Sequence, residues 1–457
     1  MDTVTAVVFQ TLFKAALGGT VEDLSKFTDF VEKRELNESQ FDLLPEVLLF
    51  HFANQATPPK FEEDLVVMQC AGRIIEKYSS MVCFGFDPLP GLLRLWSDSA
   101  WPFMLEAIKP AMVDPSSRSI SDDLRNNMFR AFTRCLFYFS CGNTTFVFNT
   151  KDVVRYLITI WLEEMRWLEY QKMEAGCNAT LLLHNFLEAA LHSNKLEVCD
   201  TILGPAALFA SEIAREVTQY LGGCAPDYYH FVSVFCNLSL MARLWQHSQI
   251  LHNAFLAENL SFAATNALCI LGATVAENDN GPFKAQDVIE RALRMLYSTI
   301  SQSATEGFLV QALQAGLFEG LVNGHICWLP LIREDRREVY YRFFEDVFFK
   351  SAEIPSVVYA LWQRRTFRKM AMNDEGAPGW NRDLRMQQAW MSLEDRAKSS
   401  LQRHADILPD SFEPLHTTAQ QNGKHSENCA CNLCLHAALA GTIQAPVEMP
   451  LTPLSCA

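Results

Sequence analysis

The sequence predicts an all-α protein, an irregular α-solenoid in which helix pairs stack in a row, followed by a mostly disordered C-terminal tail. Three observations support this prediction. Apolar residues recur at helical spacing almost everywhere up to about residue 405. Short runs rich in proline, glycine and aspartate separate these stretches, and the alternating pattern typical of strands is nearly absent.

Several stretches show the helical period clearly. Residues 283–300 carry apolar side chains at i, i+3, i+4 and i+7, which predicts one buried stripe surrounded by charged residues. Residues after Thr150 and residues 339–348 repeat the pattern, and Thr150 is a predicted N-cap. A last helix is predicted from about Arg382 to His404. The stripe of 283–300 consists of Ala285, Val288, Ile289, Ala292, Leu293, Leu296 and Ile300.

Helix-breaking runs separate these stretches, and the strand-like run FVFNT (146–150) is discounted. The breakers supply fixed or positive φ and competing side-chain hydrogen bonds, so each is predicted to end a helix. Helices joined by such short loops favour armadillo-like or HEAT-like pairs. An irregular all-α bundle is the alternative, because no repeat of fixed period is visible. The breakers are DPLPG (87–91), DPSS (114–117), GGCAPD (222–227) and NDNGP (278–282).

Composition limits the class of partner. The formal net charge is -15, with 53 acidic against 38 basic residues, and neutralising nucleic-acid phosphates requires a basic surface. The sequence therefore predicts no nucleic-acid partner. A protein with this excess of negative charge is also repelled by anionic membranes. Apolar runs such as residues 231–242 are shorter than the roughly 20 residues of a membrane span, so no membrane contact is predicted.

Cysteine usage and the first residues predict an intracellular protein, cytoplasmic or nuclear. Asp2 and Lys14 are unlike a signal peptide, so the opening residues are predicted to form an amphipathic helix. Ten of the 14 cysteines are scattered through apolar helical stretches, which predicts buried, reduced thiols. These ten are Cys70, Cys83, Cys135, Cys141, Cys177, Cys199, Cys224, Cys236, Cys269 and Cys327.

The domain organisation predicted is a helical body over residues 1–405 and a flexible tail over 406–457. From Pro409 to the end, 49 residues contain five prolines and one aromatic residue, Phe412. The little apolar burial that such a segment offers cannot offset the entropy of ordering its backbone.

The tail contains a cysteine and histidine cluster, KHSENCACNLCLH (424–436). Cys431 and Cys434 have the C-x2-C spacing of zinc sites, and Cys429 with His436 or His425 could complete four ligands. A structural zinc site usually adds a second ligand pair a dozen or more residues away, which is missing here. The alternative is a cysteine-rich patch that binds nothing specific. We expect weak zinc binding at most, no folded finger and no other cofactor.

The last predicted helix and this cluster together resemble a known arrangement. Trp390, Leu393, Ala397 and Leu401 at helical spacing, a spacer and then Cys-x2-Cys are similar to fungal proteins in which an armadillo-like region precedes a C-terminal MYND-type zinc finger. That finger needs seven cysteines and a histidine around two zinc ions, and this chain matches its opening pair alone. The resemblance implies a truncated or degenerate member that keeps the helical part. No part of the chain resembles the SET methyltransferase region that accompanies MYND in some relatives.

A second constellation is His184, Glu188 and His192, spaced i, i+4 and i+8 on a predicted helix. Such a face could bind a metal or perform acid–base chemistry. The spacing is not that of an H-E-x-x-H motif, and the sequence offers no third ligand. Buried or groove-lining histidines with satisfied hydrogen bonds are the favoured interpretation.

The basic run LWQRRTFRKM places Arg364, Arg365, Arg368 and Lys369 at helical spacing. A basic stripe on an acidic protein could bind an acidic segment of a partner. A solvated face or pairing with nearby acids is the favoured alternative. The sequence predicts that the stripe continues, if the helices stack, through Arg333, Arg336 and Arg337.

The function predicted is a non-catalytic protein–protein interaction scaffold whose partner is a protein or peptide. Stacked helices offer an extended surface for a peptide or helix. The chain has no G-x-S-x-G elbow, phosphate-binding loop, G-x-G-x-x-G or kinase motif, so it is not predicted to be an enzyme. The alternatives are a zinc-binding adaptor related to MYND-finger proteins and an enzyme of unrecognised type.

Overall fold

The fold is seen in a computed structural model, which describes residues 3–54, 60–79, 94–112, 120–166, 179–192, 196–222, 228–274, 285–303, 306–373 and 380–404. Helices make up 89% of these residues, and none of the described residues forms a strand. The all-α prediction is therefore confirmed for the described part. The chain divides into two units, Met1–Leu401 and Gln402–Ala457. All described residues but the last three belong to the first unit.

The helices of the N-terminal half range from one turn to seven turns, and the longest spans 27 residues. A π-helical turn, Trp96–Ala100, leads directly into α6. The helices are α1 (Thr3–Gly18), α2 (Val21–Lys33), α3 (Glu38–Phe41), α4 (Leu44–Ala53), α5 (Phe61–Ser79), α6 (Trp101–Ile108), α7 (Asp122–Phe148), α8 (Val153–Arg166), α9 (Ala179–His192), α10 (Leu196–Leu208) and α11 (Ala210–Gly222).

The C-terminal half continues in the same way and ends on a long helix. A π-helical segment, Phe343–Phe348, joins α18 to α19. The helices are α12 (Tyr228–His247), α13 (Gln249–Ala257), α14 (Leu260–Thr274), α15 (Ala285–Gln302), α16 (Gly307–Gln314), α17 (Leu317–Cys327), α18 (Glu338–Arg342), α19 (Phe349–Ser351), α20 (Pro355–Gln363), α21 (Arg365–Asn373) and α22 (Leu384–Arg403).

Most of the long helices pack in two series, which we call the first row and the second row. In the first row α2 packs on α5, α5 on α7, α7 on α9, α9 on α12 and α12 on α15. In the second row α8 packs on α11, α11 on α14, α14 on α17 and α17 on α21. Contacts of α7 with α8, α8 with α9, and α14 with α15 join the rows. Neighbours within a row are therefore two to four helices apart along the chain.

The sequence pattern predicts which faces these helices bury. In α15 the predicted stripe is buried at each of its positions from Val288 to Ile300. The side chain of Ala285, its first member, lies outside the described residues. The opening helix also forms, as α1, and the last predicted helix is α22. Apolar burial on this scale is the main favourable term in folding.

One predicted helix boundary is wrong, and one predicted helical stretch has a geometry that the sequence did not indicate. Thr150 is not the N-cap of α8, because that helix begins at Val153, after Asp152 in the left-handed region at φ 70°. The Thr150 hydroxyl instead accepts a hydrogen bond from the Trp96 indole at 2.9 Å. Residues 339–348 are helical, but the part from Phe343 has π geometry, whose wider turn still buries Phe343, Phe344, Val347 and Phe348.

The cysteine prediction holds in part. Cys70 and Cys135 are buried, and Cys269 is partly buried. Cys327 is exposed, because it is the last residue of α17, where that helix leaves the core. The thiols of the other six of the ten cysteines lie outside the described side chains.

Among the described residues, no single helix is both long and apolar enough to cross a membrane. The segments 249–257 and 260–272 satisfy the length and composition requirement only as a pair, which is bent by 69°.

Candidate interaction surface

Helix α21 is held in place by the apolar residues on its inner face. Phe367, Met370 and Ala371 are buried. The Phe367 ring lies 5.3 Å from that of Phe318 and 5.4 Å from that of Trp390, with both contacts edge-on. Aromatic pairs in this geometry are favourable beyond the area they bury. The core therefore fixes the position of α21 and of the side chains on its outer side.

The opposite side of α21 carries a line of basic side chains that ends in a methionine. Arg365, Arg368, Lys369 and Met372 occupy positions i, i+3, i+4 and i+7, which lie on one side of a helix. We call these four residues the α21 stripe. Arg365 and Lys369 are exposed, Arg368 is half-buried, and Met372 is 47% exposed.

The cations of the α21 stripe have no acidic partner among the described residues. Within the part of the chain that the structure describes, none of Arg365, Arg368 and Lys369 forms an ion pair. Positive charge in the first turn of a helix opposes the helix dipole, and like charges at i, i+3 and i+4 repel each other. The arrangement therefore costs the free protein a few tenths of a kcal/mol per interaction.

The stripe lies in the basic part of an acidic chain. Residues 333–404 contain 14 lysines and arginines against 11 aspartates and glutamates, whereas the whole chain has a net charge of -15. This part of the chain is therefore locally positive on a protein that is otherwise negative. An acidic ligand would be attracted to it and repelled by the rest of the surface.

Arg364, which the sequence places in the same run, points elsewhere. Its Nε lies 2.7 Å from Oε1 of Glu319, and its Nη1 donates to the carbonyl of Gln314 at 3.1 Å. Arg364 has extended backbone geometry between α20 and α21, which turns its side chain toward the start of α17. The favoured alternative has two forms: pairing with a nearby acid describes Arg364, and a solvated face describes Arg365 and Lys369, which are exposed and form no ion pair within the described residues.

The three arginines predicted to extend the run are also engaged. Arg333 pairs with Asp335 at 3.0 Å. Arg336 pairs with Glu290 of α15 at 2.9 Å. Arg337 donates to the carbonyl groups of Ile332 and Pro330. These side chains fasten the turn before α18 and do not extend the α21 stripe.

His184 and Glu188 lie on α9 in the first row, where their described surroundings are basic. Glu188 Oε1 lies 3.0 Å from Nε of Arg243 and 4.0 Å from Nη2 of Arg291. Burial lowers the pKa of His184, and the nearby Glu188 carboxylate only partly opposes this. The group is an ion-paired contact between α9, α12 and α15. The side chain of His192 lies outside the described residues.

Similar ion pairs cross other contacts of the first row. Arg73 of α5 pairs with Glu32 and with Asp29 of α2, the latter at 2.7 Å. Arg134 of α7 pairs with Glu76 of α5. These residues were not predicted from the sequence, although acids and arginines at helical spacing on successive helices could have indicated them. Exposed pairs of this kind are each worth about 0 to 1 kcal/mol.

A further polar group that the sequence did not reveal is the buried carboxyl group of Glu164 in α8. It accepts hydrogen bonds from the backbone N–H of Ala179 at 2.7 Å and of Thr180 at 3.3 Å, and from the Thr180 hydroxyl at 3.1 Å. Ala179 and Thr180 are the first residues of α9. One helix thus supplies the cap of the next, a contact that no local sequence pattern encodes.

The cysteine cluster of the tail is not among the residues that the structure describes. Cys429, Cys431, Cys434, His425 and His436 lie outside the described residues, so their zinc affinity stays a prediction. In the ranges that the structure describes, no three His, Cys, Asp or Glu side chains form a group that could hold a metal ion.

Comparisons with protein-family models, with curated proteins and with solved structures found no match for this chain. The resemblance to proteins with a MYND-type finger stays a prediction.

Proposed function

We propose that this protein is a non-catalytic scaffold that binds an acidic segment of a partner protein on the α21 stripe. The observation that supports this most is the line of three cations, Arg365, Arg368 and Lys369, on a helix fixed by the core, none of which pairs with an acid in the ranges that the structure describes. Neighbouring arginines of the same basic part of the chain, such as Arg336 and Arg364, are paired. Such unpaired positive charge lowers the stability of the free protein, and it is available to bind a negatively charged ligand.

We further propose that the helical body is an armadillo-like α-solenoid. The two rows support this, because in a solenoid each helix packs on its equivalent in the next repeat. Most steps within the rows span three helices, as from α8 to α11, α14 and α17, and armadillo repeats contain three helices. Steps of two and four helices also occur, which accounts for the absence of a fixed period in the sequence.

The chemistry of the stripe specifies its ligand. The three cations lie within little more than one helical turn, so they match two or three carboxylates that are equally close together. Met372 follows them with an exposed thioether that can pack against an apolar side chain. A short acidic segment with a leucine or phenylalanine beside its carboxylates fits this order of groups.

A peptide titration tests the proposal. The probe is a fluorescent 12-residue peptide with four glutamates and two leucines, and its control replaces each glutamate by glutamine. We expect the glutamate peptide to bind at low salt with a Kd on the order of 10–100 μM, as for a small electrostatic contact. The double variant R368E/K369E should weaken binding at least tenfold, and added salt should weaken it as well.

The matched control is the double variant K33E/R34E, which makes the same change in net charge at the exposed end of α2. It should bind the glutamate peptide within about twofold of the original chain, because surface charges far apart are screened. Equal binding of the glutamine peptide, or equal loss of binding in both double variants, would show that the stripe is not the site.

A further inference from the structure

The three cations of the α21 stripe lie close enough together to contact one chemical group. Arg368 and Lys369 follow Arg365 by three and four residues, so their Cβ atoms are about 5–6 Å from that of Arg365. The nine residues of α21 include no acidic residue that would separate the three charges. Arginine and lysine side chains are longer than these spacings, so the three charged ends can meet at a single point beside the helix.

Arg368 is the central residue of this group. Its side chain is half-buried, whereas Arg365 and Lys369 are exposed. Among the described residues, no side chain or carbonyl accepts a hydrogen bond from the Arg368 guanidinium, which carries five N–H donors. A half-buried side chain also loses less conformational freedom on binding than an exposed one. Arg368 is therefore the residue best placed to orient a ligand group by hydrogen bonds.

We propose that the α21 stripe recognises a phosphorylated segment of a partner protein, and that Arg365, Arg368 and Lys369 together hold one phosphate group. This inference rests on the proposed function, because it specifies which acidic group occupies the same site. A phosphate carries a charge of about -1.5 to -2 and three acceptor oxygens in a single group. Separate carboxylates of the same total charge repel one another when they are brought to one point.

The two kinds of cation suit a phosphate in different ways. The planar guanidinium of an arginine donates two parallel hydrogen bonds to a pair of phosphate oxygens, whereas a lysine ammonium acts as a point charge. Two arginines and one lysine therefore supply donors for all three oxygens and neutralise the charge of the phosphate. Arginine clusters of this kind are a recurring mode of phosphopeptide recognition.

Met372 specifies the neighbours of the phosphorylated residue. It follows Arg368 by four residues, which is about 6 Å along the helix axis. An extended peptide covers this distance in about two residues. The Met372 thioether, which is exposed, then packs against an apolar side chain at that position. The ligand that we infer is a phosphoserine or phosphothreonine with a leucine or phenylalanine two residues away.

Two peptides of equal charge test the inference by fluorescence titration of the full chain. The phosphopeptide differs from the glutamate peptide in that one phosphoserine, one glutamine and two glutamates replace the four glutamates, and a leucine lies two residues from the phosphoserine on each side. We expect the phosphopeptide to bind about tenfold more tightly at pH 7.5. This advantage should fall to about threefold or less at pH 5.5, because the phosphate loses much of its second charge near pH 6 whereas most glutamates stay ionised. The glutamate peptide, measured at both pH values, corrects for any change in the protein itself.

The substitution Arg368→Lys keeps the charge of the stripe but removes the planar fork. It should weaken binding of the phosphopeptide at least about threefold and that of the glutamate peptide by less than about twofold. The matched control is Arg34→Lys at the exposed end of α2, which should leave both affinities within about twofold of those of the original chain. Phosphatidylcholine vesicles that contain a phosphoinositide should not displace the phosphopeptide, because an anionic membrane repels a chain of net charge -15.

Equal affinities of the two peptides at pH 7.5 would overturn the inference but leave the proposed function intact, because the glutamate peptide would still bind the stripe. An advantage of the phosphopeptide that persists unchanged in R368E/K369E would place the phosphate elsewhere and would also overturn the inference. Displacement by the vesicles would overturn it as well, because the site would then belong to a lipid headgroup. Absence of binding by both peptides would overturn the proposed function together with the inference.

Discussion

At the scale of single residues, Glu164 shows how burial and hydrogen bonding compete over one carboxyl group. Burial raises its pKa from 4.5 to about 7, although the hydrogen bonds from Ala179 and Thr180 lower it. A carboxyl group with a raised pKa in the folded state binds a proton that the unfolded chain has lost. Its contribution to stability is complete below about pH 4.5 and is lost as the pH rises toward 7.

We expect the substitution Glu164→Gln to remove this pH dependence. The difference in unfolding free energy between the original chain and the variant should fall by up to about 3 kcal/mol between pH 4.5 and pH 8. Urea unfolding at several pH values measures it. Glu163→Gln is the control, because burial, the largest single influence, raises the pKa of Glu163, but Arg125 and Arg166 together outweigh it and hold this pKa below its usual range. A Glu164 difference that stays constant with pH would refute the assignment.

At the scale of elements, the close contact between α14 and α17 depends on two glycines, which have no side chain. The Trp328 indole lies against Gly272 of α14 and Gly324 of α17. A Cβ atom at Gly324 would lie 2.1 Å from the indole ring, and one at Gly272 would lie 2.8 Å from it. Trp328 is only 3% exposed, so its ring has little room to move. The two glycines therefore set the distance between these helices of the second row.

We expect Gly324→Ala to lower the unfolding free energy by about 2 kcal/mol, because overpacking a filled core costs 1 to 3 kcal/mol. The control is Gly18→Ala at the end of α1, where a new Cβ would have no atom within 4 Å. That change should be neutral or slightly stabilising, since alanine favours the helix over glycine. Thermal or denaturant unfolding compares them, and equal effects of the two substitutions would contradict the packing described.

The elements themselves could largely be predicted, because a helical period of apolar residues is a local property. The stripe of α15 and the presence of α1 and α22 follow from it. The start of α8 could not be predicted, because Thr150 has the chemistry of an N-cap yet bonds to Trp96, 54 residues away. The π geometry of Phe343–Phe348 could not be predicted from the sequence either, because a π turn and an α turn bury the same aromatic residues.

At the scale of the whole molecule, the sequence predicted the all-α class but not the partners of each helix. The steps within the rows vary between two and four helices, so no repeat could be read from the sequence. The candidate surface could be predicted in part. The basic run indicated Arg364 together with Arg365, Arg368 and Lys369, and only the fold shows that Arg364 turns toward Glu319. Met372 was not indicated, because its exposure depends on how α21 packs.

The most direct test of acidic-segment binding on the α21 stripe is a methyl NMR titration of the full chain, labelled at its methionine ε-methyl groups, with the acidic 12-residue peptide. Met372 ends the stripe and is exposed, whereas Met68 and Met241 are fully buried in α5 and α12. We expect the Met372 signal, assigned with Met372→Ile, to shift in proportion to the bound fraction while the signals of Met68 and Met241 stay in place. A saturating titration in which Met372 does not shift would contradict the proposal that the α21 stripe receives the acidic segment.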